Sequence, residues 1–143
     1  VCTQLPPNAN QIGIGIFILT NPTNSVCDAS FLQVAVPKII DPLEAEAQAL
    51  LLGAKLALAL NLQVANLLTD NQMVATATQE GSLLHNPGHW SLRPILADFA
   101  EATRGRHYSI IKIGREANKV ADKLAKQARQ APFPVLAFTH ARL

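Results

Sequence analysis

Cysteine is almost absent from this chain: Cys2 and Cys27 are the only two in 143 residues. Two cysteines are too few for a disulfide framework, and both sit in apolar, strand-like surroundings where free cysteine acts as a small buried hydrophobe. That usage points to a reducing, intracellular setting. Long apolar runs are missing as well. The longest, residues 49–62, is broken by Gly53 and Lys55 and falls short of the roughly 20 apolar residues of a membrane-spanning helix. The first eight residues have neither the basic nor the apolar region of a signal peptide, and no internal repeat or low-complexity segment occurs. There is no GxSxG, no P-loop and no CxxC, so nucleophilic-serine, nucleotide-loop and dithiol chemistry gain nothing. What remains is 49% hydrophobic and 15% charged, the composition of one compact domain, read as residues 1–130 with an irregular tail over 131–143.

Charge is unevenly spread. From Arg104 onward there are nine basic residues against Glu116 and Asp122, a surplus of +7, while the rest of the chain carries −5. Such asymmetry suggests an anionic partner, nucleic acid being the commonest; a solvated basic helix face is the plainer alternative.

Periodicity and turn residues predict the order β-β-β-α-β-α-α-β-α. The predicted strands cover 1–4, 12–19, 26–36, 64–69 and 108–113, and the helices 43–60, 71–77, 90–103 and 115–130, with a turn at 21–24 and a loop over 80–89. A hairpin-rich start followed by alternating strands and helices implies a mixed sheet covered by helices.

Three carboxylates stand out. On the first long helix, at about 100° per residue from Leu50, Glu44, Gln48 and Lys55 form a polar stripe near 120° to 160°, whereas Glu46 falls near −40° among Leu50, Gly53 and Ala57. A carboxylate so directed must be hydrogen-bonded, paired or bound to a cation, unless it snorkels at the stripe's edge. Asp70 ends a strand just before a helix, where it is either the N-cap or part of a site at the carboxyl end of a strand. Asp122 lies at the border of the apolar face of the last helix, with Lys126 one turn on as a surface partner. Three inward-directed carboxylates without a matching buried cation are what hard divalent metals require. By contrast His85 and His89 are separated by Pro87 and Gly88, which argues against a helical zinc pair. Gly13-Ile14-Gly15 lies inside a strand and marks close approach of backbones in the sheet.

In order and spacing, several motifs resemble the ribonuclease H family, especially the plant and archaeal-type branch of reverse-transcriptase-like plant proteins and plant retrotransposon polyproteins. They are Gly13-Ile14-Gly15, then Ala45-Glu46-Ala47-Gln48-Ala49-Leu50 with Gly53, then Thr69-Asp70-Asn71-Gln72-Met73-Val74, and finally the run from Arg115 to Ala125. The resemblance implies an α/β, ribonuclease H-like fold: a five-stranded mixed sheet, its three antiparallel strands first, flanked by helices. It implies Glu46, Asp70 and Asp122 as catalytic, metal-holding residues for Mg²⁺, or Mn²⁺ in its place. Two-metal hydrolysis of the RNA strand of RNA/DNA hybrids is the implied reaction.

The same resemblance implies nucleic-acid contacts, to hybrid or double-stranded nucleic acid, from Asn71, Gln72, Arg115, Asn118, Lys119, Lys123 and Lys126. It further implies a nuclear or cytoplasmic domain of a larger polypeptide, with no membrane partner. One position departs from the pattern: Gln4 stands where the family's first-strand Asp is expected. Asp28 lies only 18 residues before Glu46, too few for the intervening hairpin, whereas Gln4 lies 42 before it. An uncharged residue at position 4 cannot bridge two dications, so the expectation is an impaired nuclease or, as the alternative, an inactive nucleic-acid-binding or protein-interaction module.

Overall fold

The computed structural model describes residues 2–4, 11–23, 26–37, 42–80, 92–130 and 136–142. In chain order its elements are β1 (Cys2–Gln4), β2 (Gln11–Thr23), β3 (Val26–Pro37), α1 (Pro42–Ala59), β4 (Val64–Thr69), α2 (Gln72–Glu80), α3 (Arg93–Ala102), β5 (His107–Lys112), a 3-10 turn (Arg115–Asn118), α4 (Lys119–Gln130) and β6 (Leu136–Arg142). The chain divides into two compact units, one made of Val1–Ile39 with Lys119–Leu143 and the other of Ile40–Asn118.

The first unit is an antiparallel sheet in the order β1-β2-β3-β6, with α4 packed on it. β2 is rich in β-branched isoleucine, which favours a pleated strand, and Ile12, Ile14 and Ile16 are all buried. The intervening Gly13 and Gly15 lie under α4. A Cβ on Gly13 would collide with the Ala125 carbonyl oxygen, and one on Gly15 with that of Ala121. Glycine is therefore required at both positions because helix backbone rests on strand backbone. The close approach that the glycine pair marks is thus of a helix onto the sheet, not of one strand to its neighbour. Opposite the glycines, α4 presents chiefly alanine, with Ala121, Ala125 and Ala128 all buried, and the Cβ of Leu124 lies beside Gly15. Gln33 of β3 secures the helix laterally: its Nε2 donates to the Leu124 carbonyl at 3.3 Å and to Gln127 Oε1 at 2.6 Å. Phe17 and Phe31, opposite each other on β2 and β3, stack with ring centroids 5.2 Å apart.

Two expectations for this unit need correction. β2 does not turn at residue 21 but continues to Thr23, with a register shift between Thr20 and Thr23; Pro22 has no N–H to give the ladder, so the irregularity falls there. The tail is not irregular throughout. Its residues 136–142 form β6 and pair antiparallel with β3, Asp28 opposite Arg142 through Val34 opposite Leu136. Pro132 and Pro134 suggest irregular chain, yet both precede the strand and cost its ladder nothing.

In the second unit β4 and β5 form a parallel pair, from Val64 opposite His107 to Thr69 opposite Lys112, connected through α2 and α3. α1 packs against α2, α3 and β4 and is apolar nearly all round, with Ala45, Ala47, Leu50, Ala54 and Ala57 buried, as a core helix must be. It stops at Asn61, whose φ of 59° lies in the left-handed region that Asn tolerates better than most residues. There the Leu62 N–H donates to the Ala57 carbonyl at 3.1 Å and the Asn61 N–H to that of Leu58 at 2.9 Å, which satisfies two of the helix's last carbonyls. On α3, Ile95 and Phe99 are the buried face, and the helix opens at Arg93 where the periodicity predicts residue 90. The predicted loop over 80–89 lies, apart from Glu80 at the end of α2, outside the described residues. Tyr108 ties β5 to the turn after α1, its hydroxyl donating to the Leu62 carbonyl at 2.7 Å.

Under α4 there is no room for a side chain. Gly15→Ala should destabilise the protein by at least about 2 kcal/mol, because both clashing groups are backbone and neither can rotate away. Thermal unfolding of Gly15→Ala beside Gly114→Ala, where an added Cβ meets nothing within 4 Å, checks it. Burial raises the Tyr108 pKa, opposed by the Arg106 charge. The folded state then holds the phenol proton more tightly than the unfolded chain. The resulting stability is complete below tyrosine's ordinary value of about 10 and is lost as pH rises above it. Tyr108→Phe should cost about 1 kcal/mol at neutral pH and flatten that alkaline loss, as urea titrations on either side of tyrosine's ordinary value would show.

Candidate active site and basic helix

β4 ends at Thr69, which is 1% exposed and held by its carbonyl accepting the Ile113 N–H at 2.9 Å. Its hydroxyl accepts the Asn71 N–H at 3.2 Å, and Asn71 Oδ1 accepts the Val74 N–H at 3.0 Å. Asn71 is therefore the N-cap of α2, bonding the third residue of the helix. The sequence alone offers Asp70 as a candidate for that role; the structure moves the helix start one residue on and gives the cap to Asn71. An Asn before Gln-Met-Val is as good a capping signal as an Asp, so the two candidates tie in the sequence. Asp70 is half-buried at the carboxyl end of β4, the end of a strand where α/β sheets collect their ligands. The duty that would otherwise have explained it is taken by its neighbour. Asn71 Oδ1 is committed to the cap, and its amide N–H₂ takes no part in it. Gln72 is exposed, its Nε2 donating to Thr76 Oγ1 at 2.9 Å.

Glu46 sits in the second turn of α1 and is 6% exposed, while Gln48 and Lys55 of the same helix are exposed. This is the distribution the helical angles predict. Glu46 is engaged within the protein, and its Oε1 is buried without a hydrogen bond of its own. Burying such a group costs several kcal/mol unless charge or hydrogen bonding compensates.

Asp122, in the first turn of α4, has Oδ2 3.0 Å from Lys126 Nζ. That is the surface pair expected from the i, i+4 spacing, worth tenths of a kcal/mol. Glu46 and Asp70 belong to the Ile40–Asn118 unit and Asp122 to the other. Among the described residues no three His, Cys, Asp or Glu side chains gather as a metal site. Gln4 lies on β1 opposite Gly13, and Asp28 on β3. His85 and His89 lie outside the described residues.

On α4 the lysines follow from the alanines. With Ala121, Ala125 and Ala128 turned to the sheet, Lys119, Lys123 and Lys126 fall on the opposite side at about 100° per residue, and all three are exposed. Arg115 is exposed on the preceding 3-10 turn. Asn118 is not a surface group: it is 6% exposed and bonded within the protein. It sits at the end of the 3-10 turn, where α4 begins, and differs in this from the exposed Arg115 and lysines. No helix among the described residues is long and apolar enough to cross a membrane.

An antiparallel set of strands, a parallel β-α-α-β connection and a closing helix on a glycine-bearing strand define a ribonuclease H-like α/β fold. Residues 7–128 match the reverse transcriptase-like family, and the chain belongs to it. Among solved structures it is similar to RNase H1 from the halophilic archaeon Halobacterium salinarum, with 21% identity, a TM-score of 0.56 and coverage of 81% of this chain and 92% of that one. The N-terminal RNase H domain of a Mycobacterium tuberculosis protein, solved as a fusion with maltose-binding protein, gives 17%, 0.56, 82% and 91%. The protease-reverse transcriptase of prototype foamy virus gives 19% and 0.54, with 85% of this chain matching 20% of that longer one. No curated protein matches the chain by sequence.

The capping geometry separates two adjacent polar residues by role. Asn71→Ala should cost about 1 kcal/mol of stability, whereas Asp70→Asn should stay within about 0.5 kcal/mol of the parent. Urea denaturation of the two variants side by side makes the comparison, and a larger loss at Asp70 would give that carboxylate a structural role.

Proposed function

We propose that this chain is a ribonuclease H-type endonuclease domain, directed at the RNA strand of RNA/DNA hybrids and slowed by Gln4 at the position of the first-strand Asp. The observation that carries the reading is the division of labour at the end of β4, where Asn71 caps the helix and leaves the Asp70 carboxylate for other work. Burial of Glu46 on α1 of the same unit and membership of the reverse transcriptase-like family support it. In this reading the complete sheet is five-stranded and mixed, with β6 an addition at the edge of β3.

The donor chemistry suits a hard dication. A buried carboxylate and a second, half-buried one are all-oxygen donors. Glu46, Asp70 and Asp122 would hold Mg²⁺, or Mn²⁺; for Asp122 this means exchanging its weak pair with Lys126. When bound, the ions would supply an activated water and stabilise the charge that develops on the leaving oxygen. The chain's own residues do the rest. Lys119, Lys123, Lys126 and Arg115 would take the phosphates of the duplex without reading sequence. Gln72 and the amide N–H₂ of Asn71 would offer polar contacts to the RNA strand. Gln4 offers one neutral oxygen and no charge, so metal affinity and turnover both fall. The domain would act as part of a larger polypeptide. The Lys126–Asp122 pair and the neutral Gln4 also suit a second reading, a binding module of the same fold without turnover.

Cleavage of a labelled hybrid in Mg²⁺, with filter binding at several salt concentrations, tests both. The chain with Gln4 should cleave very slowly or undetectably, and Gln4→Asp should gain at least about tenfold, equivalent to about 1.36 kcal/mol of barrier. Changing Lys119, Lys123 and Lys126 together to Glu should weaken binding and flatten its salt dependence. Brisk cleavage by the unaltered chain with no gain from Gln4→Asp would overturn the role given to Gln4. A Gln4→Asp variant that binds hybrid but never cleaves it would favour the binding module.

A further inference from the structure

The outer edge of β3 is built to accept a strand. From Asp28 to Val34 it is Asp-Ala-Ser-Phe-Leu-Gln-Val, with one charge and no lysine, arginine, proline or glycine. Apart from Asp28 at one end, the usual side-chain devices that stop a sheet edge from pairing are missing from this stretch. β6 covers this edge residue for residue, from Asp28 opposite Arg142 to Val34 opposite Leu136. β6 itself is bonded on one side only, at the end of the sheet order, whereas β2 and β3 are bonded on both. The segment joining it to α4, residues 131–135, includes Pro132 and Pro134, and β6 meets the sheet through its ladder with β3.

The same edge is complementary to itself. Antiparallel pairing of two β3 strands about Phe31 sets Asp28 against Val34 at both ends, Ala29 against Gln33 and Ser30 against Leu32, with Phe31 facing Phe31. No two carboxylates meet, and the central aromatic pair is a favourable cross-strand contact. Arg142, by contrast, would lose its place opposite Asp28. We propose that the outer edge of β3 is a strand-addition site which β6 fills within the chain, and which takes the β3 edge of a second copy when β6 is displaced. The result is an antiparallel dimer with one continuous sheet. β6 is then the element that keeps the protein monomeric.

The chain carrying Phe138→Pro with Thr139→Pro is the direct test. Adjacent N–H groups along a strand point to opposite edges, so one of the two prolines must remove a bond to β3 whichever way β6 faces. Sedimentation should show self-association strengthened at least about tenfold over the unaltered chain. A peptide of residues 134–143 in excess should return the variant to monomer. A folded variant that stays monomeric, or a dimer the peptide does not dissolve, would overturn the proposal. Should the variant fail to fold, hydrogen exchange on the unaltered protein decides. Compared over amides bonded within the sheet, those of β6 exchanging at least about 100-fold faster than those of β2 support a displaceable strand, and equal protection of the two rules it out.

Discussion

The contact of α4 with β2 governs most of the geometry of its unit. Backbone lies on backbone there, with Gly13 and Gly15 on one side and the carbonyls of Ala125 and Ala121 on the other. Side chains usually hold a helix about 10 Å from a sheet and let it rotate or slide at modest cost. With no side chain from the strand at Gly13 and Gly15 to hold it off, the helix backbone is seated directly on the strand. The rotation that buries Ala121, Ala125 and Ala128 is the one that turns Lys119, Lys123 and Lys126 outward, and it leaves Asp122 at the border where it meets Lys126. A packing requirement therefore sets the polarity of the surface this helix presents.

At the end of β4 the logic is one of freed groups. A helix N-terminus needs a side-chain acceptor for its orphan N–H groups, and a single residue, Asn71, meets that need while the buried Thr69 holds the turn. The adjacent Asp70 is thereby left outside the helix at the end of a strand, with no capping duty. Glu46 is the complementary case, a carboxylate kept out of water by the apolar face it occupies. A catalytic reading of the chain depends on both, and on how far three carboxylates and one amide can hold what four carboxylates would.

The sheet edge brings in the remaining element. β3 is longer and more apolar than an edge strand should be, and β6 is what removes the liability. That makes residues 136–142 part of the fold rather than an appendage to it.

Local pattern was enough to determine much of this protein. The isoleucine-rich strand, the Ala-Leu-Glu-Gln helix, the short strand ending in Thr69 and the alanine-backed basic helix all announce themselves through period and propensity, because those elements differ in side-chain spacing along a single chain. The burial of Glu46 was equally legible, since a helix's angular repeat converts spacing directly into facing. Tertiary structure decided the rest. Which of Asp70 and Asn71 caps α2 depends on where the strand releases the chain, a difference of one residue that composition does not encode. The glycine pair announced a close approach, but only the seat of α4 says that a helix makes it. Asn118 reads as a surface amide until the 3-10 turn folds it inward. β6 lay hidden behind two prolines because its reason for being a strand is an unsatisfied edge contributed by residues more than a hundred positions earlier, and no window along the sequence contains both partners.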